Sequence, residues 1–123
     1  MAISERHAGD TVVLLPDSSI TWRTQPELKR TLDSLFDQGQ THIIIDLTNV
    51  REISGYGLGL LASRCARLRR RDGDIRLVNA SEPVLRLLQV TNLADLFRLF
   101  ETADTAVQSF TVIDLGTDQE DER

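Results

Sequence analysis

The sequence predicts an α/β layer fold: a mixed sheet of four to five strands with helices packed mainly on one side. Three observations carry that expectation. Short β-rich aliphatic runs alternate with longer segments whose apolar residues recur every three or four positions. The run Ile43-Ile44-Ile45 is apolar without alternation, as in a strand covered on both faces of a parallel sheet. The joins carry Pro, Gly, Ser, Asn and Asp, and a chain of 123 residues fits one domain.

Thr11–Leu15 reads as the first clear strand, with Ile3–His7 as a candidate partner and Pro16-Asp17-Ser18-Ser19 as a turn. Trp22–Gly39 reads as a helix. Leu28, Leu32, Leu35 and Phe36 share a face, Thr24 is a candidate N-cap, Pro26 suits the first turn and Gly39 the stop. His42–Leu47 is the central strand. A second helix is expected over Gly57–Arg71, with Leu58, Leu61, Cys65 and Leu68 as its apolar stripe and Asp72-Gly73-Asp74 ending it. Ile75–Val78 is a strand. Ser81–Gln89 is a helix capped by Ser81, with Val84, Leu87 and Leu88 inward. A short strand is expected around Phe97–Leu99 and a last helix over Ala103–Phe110. The domain therefore spans 1–113, and 114–123 is an acidic tail expected to fray.

Bulk properties narrow the function. Hydrophobic residues make up 41% and aromatics only 5%, so Leu, Ile and Val must build the core. A net charge of -5 disfavours a nucleic-acid partner. The single cysteine, Cys65, suits a reducing compartment and a packed thiol. No secretory leader or membrane-spanning run is apparent, so a cytoplasmic location without membrane insertion is expected. His7 and His42 lie apart from any ligand cluster and read as surface residues, and no metal or cofactor is implied. Asp33 and Asp37 read as surface residues of the first helix. Asp46 and Glu52 lie near the key loop but do not define an acid–base pair. No catalytic set is present, so binding is favoured over enzymatic activity. Arg64, Arg67 and Arg71 share a helix face that reads as solvated or partner-facing.

One junction stands apart: Ile53-Ser54-Gly55-Tyr56-Gly57-Leu58-Gly59, between the central strand and the second helix. A helix start leaves N–H groups unpaired and favours negative charge. Ser54 can cap it, and the glycines permit close approach. It matches neither the phosphate-binding loop, whose Lys-Ser/Thr pair is missing, nor G-x-G-x-x-G, whose glycine spacing differs.

With the strand Ile43–Leu47 ahead of it, this junction resembles the Ile-Asp-Ser-Ser-Gly-Leu-Gly motif of STAS domains, the SpoIIAA-like anti-sigma factor antagonists. Asn79-Ala80-Ser81-Glu82-Pro83-Val84, Leu87-Leu88, Asn92-Leu93 and Leu96-Phe97 extend the resemblance, which covers roughly Val12–Phe110. It implies a bacterial, non-enzymatic signalling module that binds a kinase-like anti-sigma factor of the GHKL type, with a homodimer as a further candidate state. The implied partner surface comprises Ser54, Gly55, Tyr56, Gly57, Leu58 and Arg64, with Tyr56 as apolar anchor. The family's phosphoacceptor position falls on Gly55, which has no hydroxyl. Ser54 stands at the motif aspartate and is a non-standard candidate acceptor, with capping as its favoured role. Alternatives are a STAS adaptor in a lipid-transport or stress-signalling complex, and a small-ligand or nucleotide sensor at the Ser54–Gly57 helix start.

Overall fold

A computed structural model of the chain describes residues 1–111. The expectation for the acidic tail at 114–123 falls outside the described residues. The chain runs β1 (Ile3–Ala8), β2 (Thr11–Pro16), α1 (Gln25–Asp37), β3 (His42–Asp46), α2 (Gly55–Arg69), β4 (Asp74–Val78), α3 (Glu82–Val90) and β5 (Leu99–Phe100). A last helix, α4, covers residues 103–111. The strands lie in chain order in one sheet, with β1 antiparallel to β2 and every later pair parallel.

The two sides of the sheet follow from strand alternation. Val12, Leu14, Ile43, Ile45, Ile75 and Leu77 point to one face, where they meet Leu28, Leu32 and Leu35 of α1, Leu58, Leu61, Cys65 and Leu68 of α2, and Val84 and Leu88 of α3. Val13, Ile44 and Val78 point to the other, where Ala106 and Phe110 of α4 cover them. The three consecutive isoleucines are thus buried because both faces are roofed, three helices on one side and one on the other.

Helix ends are set by local chemistry. α1 stops at Gly39, whose φ of +85° is left-handed, while Gly39 N–H donates to the Phe36 carbonyl at 3.0 Å and Gln40 N–H to the Leu35 carbonyl at 2.9 Å. α2 stops with Asp72, not a glycine, in the left-handed region at φ 62°. Gly73 answers a different need, because a Cβ there would sit 2.2 Å from the Thr41 carbonyl oxygen. Ser81 caps α3 as expected, its oxygen accepting from Val84 N–H.

Some sequence expectations need correction. α1 begins at Gln25, so Trp22 lies in a turn ahead of it. Thr24 holds the N-cap position without capping: its hydroxyl accepts from Thr21 N–H at 2.9 Å and donates to the Ser19 carbonyl at 2.7 Å. Phe97 is a buried core residue ahead of β5, not part of a strand. His42 is half-buried and stacks on Phe110 with ring centroids 4.4 Å apart.

Candidate functional site

The loop leaving β3 and the loop leaving β2 run side by side at the carboxyl ends of the parallel strands. Ile20 forms a parallel bridge with Ile53. Its N–H donates to the Glu52 carbonyl at 3.0 Å, and its carbonyl accepts from Ser54 N–H at 2.8 Å. Glu52 N–H donates to the Ser19 hydroxyl at 3.1 Å. These bonds seat the start of α2 on the β2–α1 loop.

That start lies two residues earlier than the glycine pattern suggests. α2 begins at Gly55, with Ser54 extended as its N-cap and the Ser54 hydroxyl accepting from Gly57 N–H at 3.2 Å. Gly55, Tyr56 and Gly57 are therefore its first turn. Their exposures differ sharply. Gly55 is exposed, and a Cβ built on it meets nothing within 4 Å. Tyr56 is 71% exposed. Gly57 is buried, and a Cβ there would lie 2.5 Å from Ile20 Cγ2 and 3.2 Å from the Ile20 carbonyl oxygen. Leu58 is 3% exposed and belongs to the core. Of the expected partner surface, the structure leaves Gly55 and Tyr56 open and Ser54 half-buried, and turns Gly57 and Leu58 inward.

Arg64 is half-buried and paired within the chain. Its guanidinium grips Asp33 of α1 through two hydrogen bonds, Nε to Oδ1 at 2.8 Å and NH2 to Oδ2 at 3.1 Å. Asp33 is accordingly no free surface carboxylate. Arg64 first, with Lys29 assisting against burial, holds its carboxyl below the usual value. Arg67 and Arg71 lean over the Phe36 ring, 4.1 and 3.9 Å from its centroid. Asp46 accepts from Thr48 N–H at 3.0 Å and shapes the β3–α2 loop, which makes its role structural.

Two features escape sequence reasoning. Trp22, 64% exposed, lines a shallow groove together with Gln25 and Tyr56, and the Arg23 guanidinium lies 5.2 Å from its ring centroid. The available signal was a lone tryptophan off the α1 apolar stripe. The other is a buried charge network at the opposite ends of the strands. Asp74 accepts from Arg69 Nε at 2.9 Å, Arg76 Nε at 2.9 Å, Ile75 N–H at 3.0 Å and the Cys65 thiol at 3.2 Å. Arg76 donates on to the Ser109 hydroxyl at 2.7 Å and lies over Phe110, tying α4 to the sheet. Burial pushes the Cys65 thiol up to about 11, so at neutral pH it is a packed, protonated group rather than a nucleophile.

Known proteins share this arrangement. The family model described as STAS domain matches residues 2–106. An anti-sigma-B factor antagonist of Staphylococcus aureus is 31% identical over 78 residues, spanning 63% of this chain and 72% of that protein. The anti-sigma factor antagonist SpoIIAA in its unphosphorylated form superposes with a TM-score of 0.79 at 21% identity, covering 91% of this chain and 98% of its own. A sulfate transporter family protein from Wolinella succinogenes has a TM-score of 0.74 at 15% identity, over 87% of this chain and 89% of that one. The fold alone is thus common to antagonists and to a transporter-family protein. Among the described residues, no helix is long and apolar enough to cross a membrane.

Proposed function

Since this chain belongs to the STAS domain family and has an anti-sigma-B factor antagonist among its relatives, we propose that it binds an anti-sigma factor through the first turn of α2 and so frees a sigma factor for transcription. The observation that carries this reading is the open face at that turn: Gly55 and Tyr56 lie exposed on a backbone frame bonded to Ile20. Tyr56 supplies a large anchor with few rotatable bonds. The partner is a kinase-like protein of the GHKL type in the cytoplasm, and the action is binding rather than catalysis.

The same turn separates binding from serine phosphorylation. Gly55 has no hydroxyl, and the Ser54 hydroxyl serves as the α2 cap, accepting from Gly57 N–H. Phosphate at such a contact would add charge and bulk that oppose docking. This chain therefore stays competent in the presence of an active kinase.

Titration calorimetry with the anti-sigma kinase of the same genome tests both points. A complex forms whether or not the mixture has first been incubated with ATP. Tyr56→Ala weakens it about tenfold or more. Gly55→Ser fits without a clash and makes the complex ATP-sensitive. A kinase that fails to bind the native chain, or that binds Tyr56→Ala equally well, contradicts the assignment.

A further inference from the structure

Resting on that reading, we infer that Trp22 is a second anchor for the anti-sigma factor, and that Trp22 and Tyr56 together clamp one uncharged, aliphatic side chain of that partner. The two rings come from loops far apart in sequence but fastened to each other. Trp22 stands two residues beyond Ile20 and Tyr56 two residues beyond Ser54, and Ser54 N–H donates to the Ile20 carbonyl at 2.8 Å. The turn that carries Trp22 is closed by its own hydrogen bonds. Thr21 N–H donates to the Thr24 hydroxyl at 2.9 Å, Arg23 N–H to the Thr21 hydroxyl at 3.2 Å, and Gln25 N–H to the Thr21 carbonyl at 2.8 Å. Both aromatics thus spring from a backbone that is already fixed, which lowers the main-chain ordering cost of docking.

The occupant follows from the walls. Trp22, Gln25 and Tyr56 line the groove with aromatic and amide surface, and the Arg23 guanidinium, 5.2 Å from the Trp22 ring centroid, disfavours a basic occupant. Two aromatic faces suit an aliphatic group, and the Gln25 amide can pair with the main chain that presents it. The groove adjoins Gly55 and Tyr56, so a protein docked on the first turn of α2 extends into it without a new interface. Isolated exposed aromatics are ordinary on protein surfaces, but a preorganised Trp–Tyr pair beside a binding turn is the composition expected of a hot spot.

Trp22 is the only tryptophan in the chain, so its emission reports this groove alone. The chain is labelled biosynthetically with 5-hydroxytryptophan and excited where ordinary tryptophan does not absorb, then titrated with the anti-sigma kinase. Complex formation shifts the emission to the blue and cuts acrylamide quenching severalfold. Trp22→Ala weakens binding about tenfold or more, and Trp22→Phe falls between, with melting temperature little changed in both because the side chain is 64% exposed. Unchanged emission and quenching in a complex that forms, or Trp22→Ala binding like the native chain while Tyr56→Ala does not, overturns the clamp and leaves the proposed function standing. Absence of any complex overturns both.

Discussion

Replacing Gly57 by alanine probes how the binding turn is seated. The new Cβ would lie 2.5 Å from Ile20 Cγ2, 3.1 Å from Ile53 Cγ2 and 3.2 Å from the Ile20 carbonyl oxygen. The near neighbour cannot swing away easily. Ile20 is fully buried, β-branched and stiff at χ1, and its main chain is bonded on both sides. Overpacking of this kind costs about 1–3 kcal/mol. Alanine in a helix recovers about 1 kcal/mol relative to glycine, which partly masks the clash.

Gly59 supplies the control. It lies in the same helix, exposed, with nothing within 4 Å of a Cβ built on it. Gly59→Ala should therefore stabilise by about 1 kcal/mol through helix propensity alone. The propensity term cancels in the difference between the two substitutions, leaving the clash at about 1–3 kcal/mol. Urea unfolding measures both. Gly57→Ala should lower the midpoint or leave it near native, and Gly59→Ala should raise it, with equal m-values. Equal stabilisation by the two substitutions would show that the turn is not seated on Ile20, and the frame holding Tyr56 would lose its basis.

Other perturbations reach the remaining parts of the argument. Ser54→Ala removes the α2 cap and should cost about 1 kcal/mol in urea unfolding, while Ser54→Asp, which can still accept from Gly57 N–H at a helix start, should restore most of it. Asp74→Asn leaves the buried Arg76 without its counter-charge and should destabilise by about 3–5 kcal/mol. Adding Arg76→Met should recover part of that loss, whereas additive costs would mean that the two side chains are not coupled. The Asp33 carboxyl titrates below its usual 3.8 in the folded chain, so its contribution is complete above that value and is lost as pH falls through the lower, folded value. Asp33→Asn should then reduce the drop in melting temperature between neutral pH and pH near 3, and an unchanged drop would count against the Arg64 clasp.

The family and the sheet were legible because their signals are local. Three isoleucines in a row cannot alternate between core and water, so they announce a strand roofed on both sides. Leu28, Leu32 and Leu35 announce the α1 face, and Ser81 with Pro83 the start of α3. The misreadings occur where a distant residue decides. Gly55 and Tyr56 look like a loop until Ser54 caps the turn, and Gly57 shows no sign of burial until Ile20 packs against its bare Cα. Trp22 looks helical until Thr21 and Thr24 close a turn around it. Arg64 looks like a surface cation until it meets Asp33, 31 positions earlier. Asp74 and Arg76 read as ordinary polar residues around a strand. Their burial is tolerable only because each supplies the other's counter-charge, and no periodicity encodes that.

The same distinction explains how an exposed site is kept in shape. The residues that fix the first turn of α2, namely Ile20, Ile53, Gly57 and Leu58, are buried, and those proposed to meet the partner, Gly55, Tyr56 and Trp22, are not. Substitution at the outer set can change partner choice with little effect on folding, and substitution at the inner set moves both. Gly55 is the clearest case. Its position accepts a side chain without collision, so packing does not explain why serine is missing there. With glycine at this position, a serine kinase has no hydroxyl to modify at Gly55 itself. Under the proposed function, the supply of free sigma factor then follows the amount of this chain relative to its partner, and a Gly55→Ser chain should make it follow the kinase as well.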